Sequence, residues 1–108
     1  MDNLTALRGL CNAICNTFYP DNSTMELVLF NEGISATAAA TPKDPAILKL
    51  AIKLVLGYIE KSRTEGGVSY SIDTDKIDDN IKEWCDDYGL DAEDYLPLKT
   101  IENGSNLW

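Results

Sequence analysis

The chain has 108 residues and carries 18 acidic against 9 basic side chains, for a net charge of -9 and a pI near 4.2. Its length allows one modest core, and 44% hydrophobic with 25% charged residues is the composition of a globular domain rather than a disordered one. The acidic balance excludes nucleic-acid binding through a basic patch, and an anionic membrane surface would repel the chain.

The first element places Leu4, Leu7, Leu10, Cys11, Ile14, Cys15 and Phe18 at steps of three and four, the stripe of an amphipathic helix. Asp2 or Asn3 is suited to cap its start, and Pro20 with Asp21 and Asn22 is expected to close it. Ser23 with Glu26 three residues on reads as a capping box opening a second, short helix through Leu27, Val28, Leu29 and Phe30. Gly33 followed by Ile34 is a glycine-plus-apolar C-cap. The small-residue run from Ser35 to Pro42 is a connector, with one further helical turn as the alternative.

Asp44-Pro45 is an N-cap followed by proline at the first helical position. The helix it opens is expected to run to about Arg63 and is apolar over most of its circumference, with only Lys49, Lys53 and Glu60 keeping a polar stripe. Such a helix belongs at the centre of the fold or against a neighbouring subunit. Gly66-Gly67 then breaks it, and Val68, Tyr70 and Ile72 alternate with serines in the period of a half-buried strand. No second segment reads as its partner, so it is either an irregular extended loop or a strand that pairs with another chain.

The last helix is expected to begin at Asp73, Thr74 or Asp75, with the stripe Ile77, Ile81, Trp84, Cys85, Tyr88 and a second glycine-plus-apolar cap at Gly89-Leu90. From Asp73 to Asp94 there are ten acids against two lysines, which accounts for eight of the nine net negative charges. Asp78, Asp79, Glu83, Asp86 and Asp87 make this helix a candidate acidic face, either a solvated surface or one that steers a basic partner. The fold class is therefore mainly α, a small bundle of about four helices with one short extended segment between the last two long ones. Residues 1–90 form the domain and 91–108 a tail that is loosely packed or partly disordered.

Chemistry is sparse. The chain has no histidine, which removes the usual general base and the commonest metal ligand. Cys11 and Cys15 lie four apart on an apolar stripe and Cys85 on another, the placement of core thiols rather than of a zinc site. Asp73-x-Asp75 begins like a calcium loop, but Ile77 takes the third ligand position and Asp78 the obligatory glycine. Trp84 reads as a core residue, and Trp108 stays open between core and interface. No catalytic residue, cofactor or metal is expected, and the chain is read as non-enzymatic. No basic-then-apolar start resembles a secretion signal, and charges interrupt the one long apolar segment. Free thiols in a reducing compartment are therefore the expectation.

A long apolar helix, then Glu65-Gly66-Gly67-Val68-Ser69-Tyr70-Ser71, then a helix closing on Asp87-Tyr88-Gly89, resembles small tailed-phage and prophage proteins of the head-tail connector (adaptor) type. The string Leu29 to Ile34, Leu-Phe-Asn-Glu-Gly-Ile, is also similar. The resemblance covers roughly Leu4 to Leu90; the tail lies beyond it, and the cysteines are not part of it. It implies a helical protomer that joins a ring beneath a phage portal, touching the portal on one side and tail-completion proteins on the other. Its locations would be the bacterial cytoplasm during assembly and then the virion. The loop between the last two helices, Glu65, Gly66, Gly67, Val68, Tyr70 and Ile72, would lie near subunit contacts. The alternative is a small acidic regulator or inhibitor that occupies a basic protein surface.

Overall fold

The computed structural model describes residues 1–64 and 74–95. Four helices run in chain order: α1, Asn3–Ile14; α2, Asn22–Asn31; α3, Pro45–Thr64; and α4, Thr74–Tyr88. A 3-10 turn at Ala92–Asp94 follows. The mainly helical class is as expected, and among the described residues no strand is longer than an isolated bridge. The alternating segment 68–72 lies outside the described residues.

Asp2 is the residue that caps α1, accepting a hydrogen bond from the Thr5 N–H at 2.8 Å. Asn3 does something else. It is buried, and its Nδ2 donates to the Ser35 carbonyl at 2.8 Å. The Ser35–Pro42 connector is not a further helix. After a turn in which the Ala38 N–H reaches the Ser35 carbonyl, it runs antiparallel to the chain start. The Asn3 and Leu4 N–H groups donate to Ala38 and Ala36, and Ala40 donates to Met1. The first N–H groups of a helix have no partner within it, and here the connector supplies one.

α1 stops at Ile14, earlier than the Pro20 signal suggested, because Cys15 turns to extended backbone. Asn16 and Thr17 follow it and favour turns over helix. Phe18 then stacks on Tyr58 of α3 at 4.5 Å. α2 starts before the Ser23 capping box. The Asp21 carboxylate accepts from the Thr24 N–H, and Arg8 donates to the Asn22 side chain, so nucleation falls two residues upstream. A carboxylate is as good an N-cap as a serine hydroxyl and also complements the helix dipole.

Both glycine caps form as the sequence indicates. Gly33 and Gly89 adopt φ of +74° and +76°. Each is followed by the paired back-bonds of a Schellman cap: Ile34 N–H to Leu29 and Gly33 N–H to Phe30, then Leu90 N–H to Cys85 and Gly89 N–H to Asp86.

α3 is the centre of the bundle. It packs chiefly on α1 and secondarily on α4. Ile47, Leu48, Ala51, Ile52 and Val55 are buried with Leu7, Leu10, Ile14, Met25, Leu29, Ile77 and Ile81 in one core. Leu54, Leu56 and Tyr58 are partly covered, so a single chain already shields most of the apolar circumference that called for neighbours. α4 is tied to the end of α1 by Asn80, whose Nδ2 donates to the Ile14 carbonyl at 3.0 Å. Packing continues past residue 90: Ala92 and Tyr95 rest on the core.

Candidate functional site

Two surfaces of different chemistry stand out. The first is on α2. Four successive apolar residues, Leu27 to Phe30, cannot share one face of a helix, since each residue turns the helix by about 100°. Leu29 is fully buried and Met25 lies below it, so Leu27 and Phe30 are turned outward, 56% and 77% exposed. They stand three residues apart, on the same side. Sequence reading named these residues without assigning them an outward role; the unbroken apolar run is the signal that was there to use.

The second surface is on α4. Asp79, Glu83 and Asp86 are exposed and follow one another at steps of four and three, forming a continuous stripe. Like charges at such spacings destabilise a helix by about 0.2–0.5 kcal/mol per pair. Asp87, also exposed, turns aside to Lys43, with Nζ and Oδ1 3.0 Å apart. Asp78 is only half-exposed. The structure thus splits the five acids into a three-residue stripe and two that serve other contacts. The interface residues Glu65, Gly66, Gly67, Val68, Tyr70 and Ile72 lie outside the described residues.

The cysteines are buried and free. Burial, with a lesser contribution from neighbouring Cys15, pushes the Cys11 thiol up to about 12, and burial followed by the charge of Asp91 raises Cys85. Thiols so shifted are protonated at neutral pH and are poor nucleophiles or metal ligands. Among the described residues, no group of three or more histidines, cysteines or acids is placed to hold a metal ion. No described helix is long and apolar enough to cross a membrane.

A groove of about 680 Å³ runs along the outer side of α3, lined by Ala46, Lys49, Lys53 and Leu56, with Ile34 and Tyr95 among its walls. A smaller cleft of about 320 Å³ lies where α1 ends against α4, lined in part by Asn16, Lys76 and Asn80.

A family model described as "Family of unknown function (DUF6706)" matches residues 1–108. The chain belongs to that family. The DUF6706 match spans the tail after Leu90 as well as the helices, so the tail is part of the family pattern. No curated protein and no solved structure matches the chain.

Proposed function

We propose that this DUF6706 chain is a non-enzymatic phage or prophage structural protein of the head-tail connector type, which assembles on a portal protein through protein–protein contacts. The observation that carries the reading is the outward pair Leu27 and Phe30 on α2. Large apolar side chains standing together on a capped, well-packed helix suit burial against a partner. Raised thiol pKa values at Cys11 and Cys85 accord with a role outside catalysis. The portal and tail-completion proteins as partners, and the ring in the assembled particle, rest on the sequence resemblance.

The test is co-purification with the portal encoded beside this gene, both proteins soluble. Wild type is expected to bind, and Leu27→Asp combined with Phe30→Asp to lose at least tenfold in affinity while keeping its helical circular dichroism. Absence of wild-type binding would count decisively against the connector reading.

The α4 stripe favours a second reading, a small acidic regulator that docks on a basic protein surface. Here Asp79→Asn, Glu83→Gln and Asp86→Asn together should weaken binding and flatten its salt dependence. Unchanged binding and salt dependence in that triple variant would dismiss this reading.

A further inference from the structure

We propose that the outer face of α2 docks a basic amphipathic helix of a partner protein, whose apolar side covers Leu27 and Phe30 while its lysines or arginines meet Glu26. This rests on the reading of that face as a contact surface, but not on the partner being a portal.

The large apolar residues exposed in the described chain are Met1, Tyr19, Leu27 and Phe30. Three of these four fall on α2 or just ahead of it. At about 100° per residue, Leu27 lies opposite the buried Met25 and Leu29, and Phe30 stands beside it. α2 is thus apolar on two opposite sides. One side is seated in the core, where α2 packs chiefly on α1. The other faces out. A helix apolar on both sides belongs between two layers, and the layers of this bundle are helices. The element that completes α2 is therefore a further helix.

Its charge follows from what surrounds the pair. Every charged residue from Gly9 to Pro42 is acidic: Asp21, Glu26 and Glu32. Asp21 caps α2 and Glu32 lines the α3 groove, which leaves Glu26 on the rim, four residues before Phe30. Glu26 is exposed and, among the described residues, in no ion pair. The nearest base in sequence, Arg8, is engaged by Asn22. A second copy would bring the same acids and a net charge of -9, so a basic partner fits and a self-contact does not. Area agrees. Even at about 150–250 Å² per large side chain, the pair offers at most half of the roughly 800 Å² each partner gives to a stable interface. The occupant must also cover Ser23, Glu26 and Asn31, all exposed, which a helix laid along α2 does.

The experiment titrates the labelled full chain with a synthetic amphipathic peptide, leucines on one side and lysines on the other, and follows amide NMR shifts. A scrambled peptide of the same composition is the control. The amphipathic peptide is expected to shift Ser23, Glu26, Leu27, Phe30 and Asn31, and the scrambled one to leave them unmoved. Leu27→Asp with Phe30→Asp should weaken binding by about tenfold or more. Glu26→Lys leaves the apolar pair intact and should weaken it more at low salt than at high salt. Asp79→Asn, Glu83→Gln and Asp86→Asn together should leave the α2 shifts unchanged. Shifts confined to α4 or the α3 groove, an equal response to the scrambled peptide, or no shift at all would overturn the proposal. So would α2 shifts that follow protein concentration alone, since the occupant would then be a second copy. Because the probe is not a portal, loss of portal binding with the peptide result intact removes the connector reading and leaves this one standing.

Discussion

Leu27 and Leu29 are the same residue on the same helix, two positions apart, and their truncation to alanine separates surface from core. Leu29 is fully buried as part of the core, while Leu27 keeps 56% of its surface in water. Leu29→Ala removes the transfer energy of a whole buried side chain and leaves a cavity, for about 2.7–5 kcal/mol. Leu27→Ala loses less than half of a transfer term of about 2 kcal/mol, leaves no cavity, and gains slightly in helix propensity, for less than about 1 kcal/mol. A domain of this size has about 5–15 kcal/mol in total, so Leu29→Ala removes a large share and Leu27→Ala very little. Urea unfolding followed by far-ultraviolet circular dichroism measures both, with unchanged m-values as the check on two-state behaviour. Values within about 1 kcal/mol of each other would refute the reasoning, given the spread expected for buried leucines. They would mean that Leu27 is covered in solution, and the α2 surface would no longer be free for a partner.

Asn80→Ala should cost about 1 kcal/mol in the same assay, because it strips the Ile14 carbonyl of its side-chain donor at 3.0 Å; a neutral result would mean that water replaces the amide fully. The N-cap acids Asp2 and Asp21 have pKa values held below the usual 3.8, first by the Thr5 and Thr24 side chains and then by their N–H groups. A depressed pKa in the folded state stabilises it above pH 3.8 and ceases to do so as pH falls through the folded value. Stability is therefore expected to decline in that acidic window, and less steeply in Asp2→Asn and Asp21→Asn; parallel acid profiles for variants and wild type would contradict this. Cys11 carries the opposite sign: its thiol ionises near its ordinary value of 9.0 when unfolded and at about 12 when buried. Its contribution is complete below pH 9.0 and is lost as pH rises toward about 12, so Cys11→Val should flatten the alkaline decline. In native protein at mildly alkaline pH an aromatic disulfide should leave Cys11 unmodified, and rapid labelling would show the core to be open.

Much of the fold was legible because it depends on local chemistry. The stripes of α1, α3 and α4 follow from spacing alone, and Asp44-Pro45, Gly33-Ile34 and Gly89-Leu90 mark ends that any helix of this sequence would need. What was not legible is non-local. The Ser35–Pro42 connector carries no strand pattern, and it is extended because the unpaired N–H groups of Asn3 and Leu4 meet it there. Asn3 looked like one of two equal caps, and only its neighbour Ser35 in space makes it a buried clamp. On α2, Asp21 outcompeted Ser23 for the N-cap, a contest that sequence spacing does not decide. The candidate surfaces were partly visible. The acidity of α4 is plain in composition, but which acids form a stripe required knowing that Asp87 reaches Lys43.

The two left-handed glycines do more than end helices. Ile34 comes one residue after Gly33, and Tyr95 lies on the short turn that succeeds Gly89, so two of the residues lining the α3 groove are each reached through one such joint. A Cβ at either glycine would meet nothing within 4 Å, which leaves backbone torsion, not space, as the reason for the residue. A substitution at Gly33 or Gly89 is therefore expected to act on the path of the chain into the groove wall, whereas one at Ala46 or Leu56 acts on the lining itself.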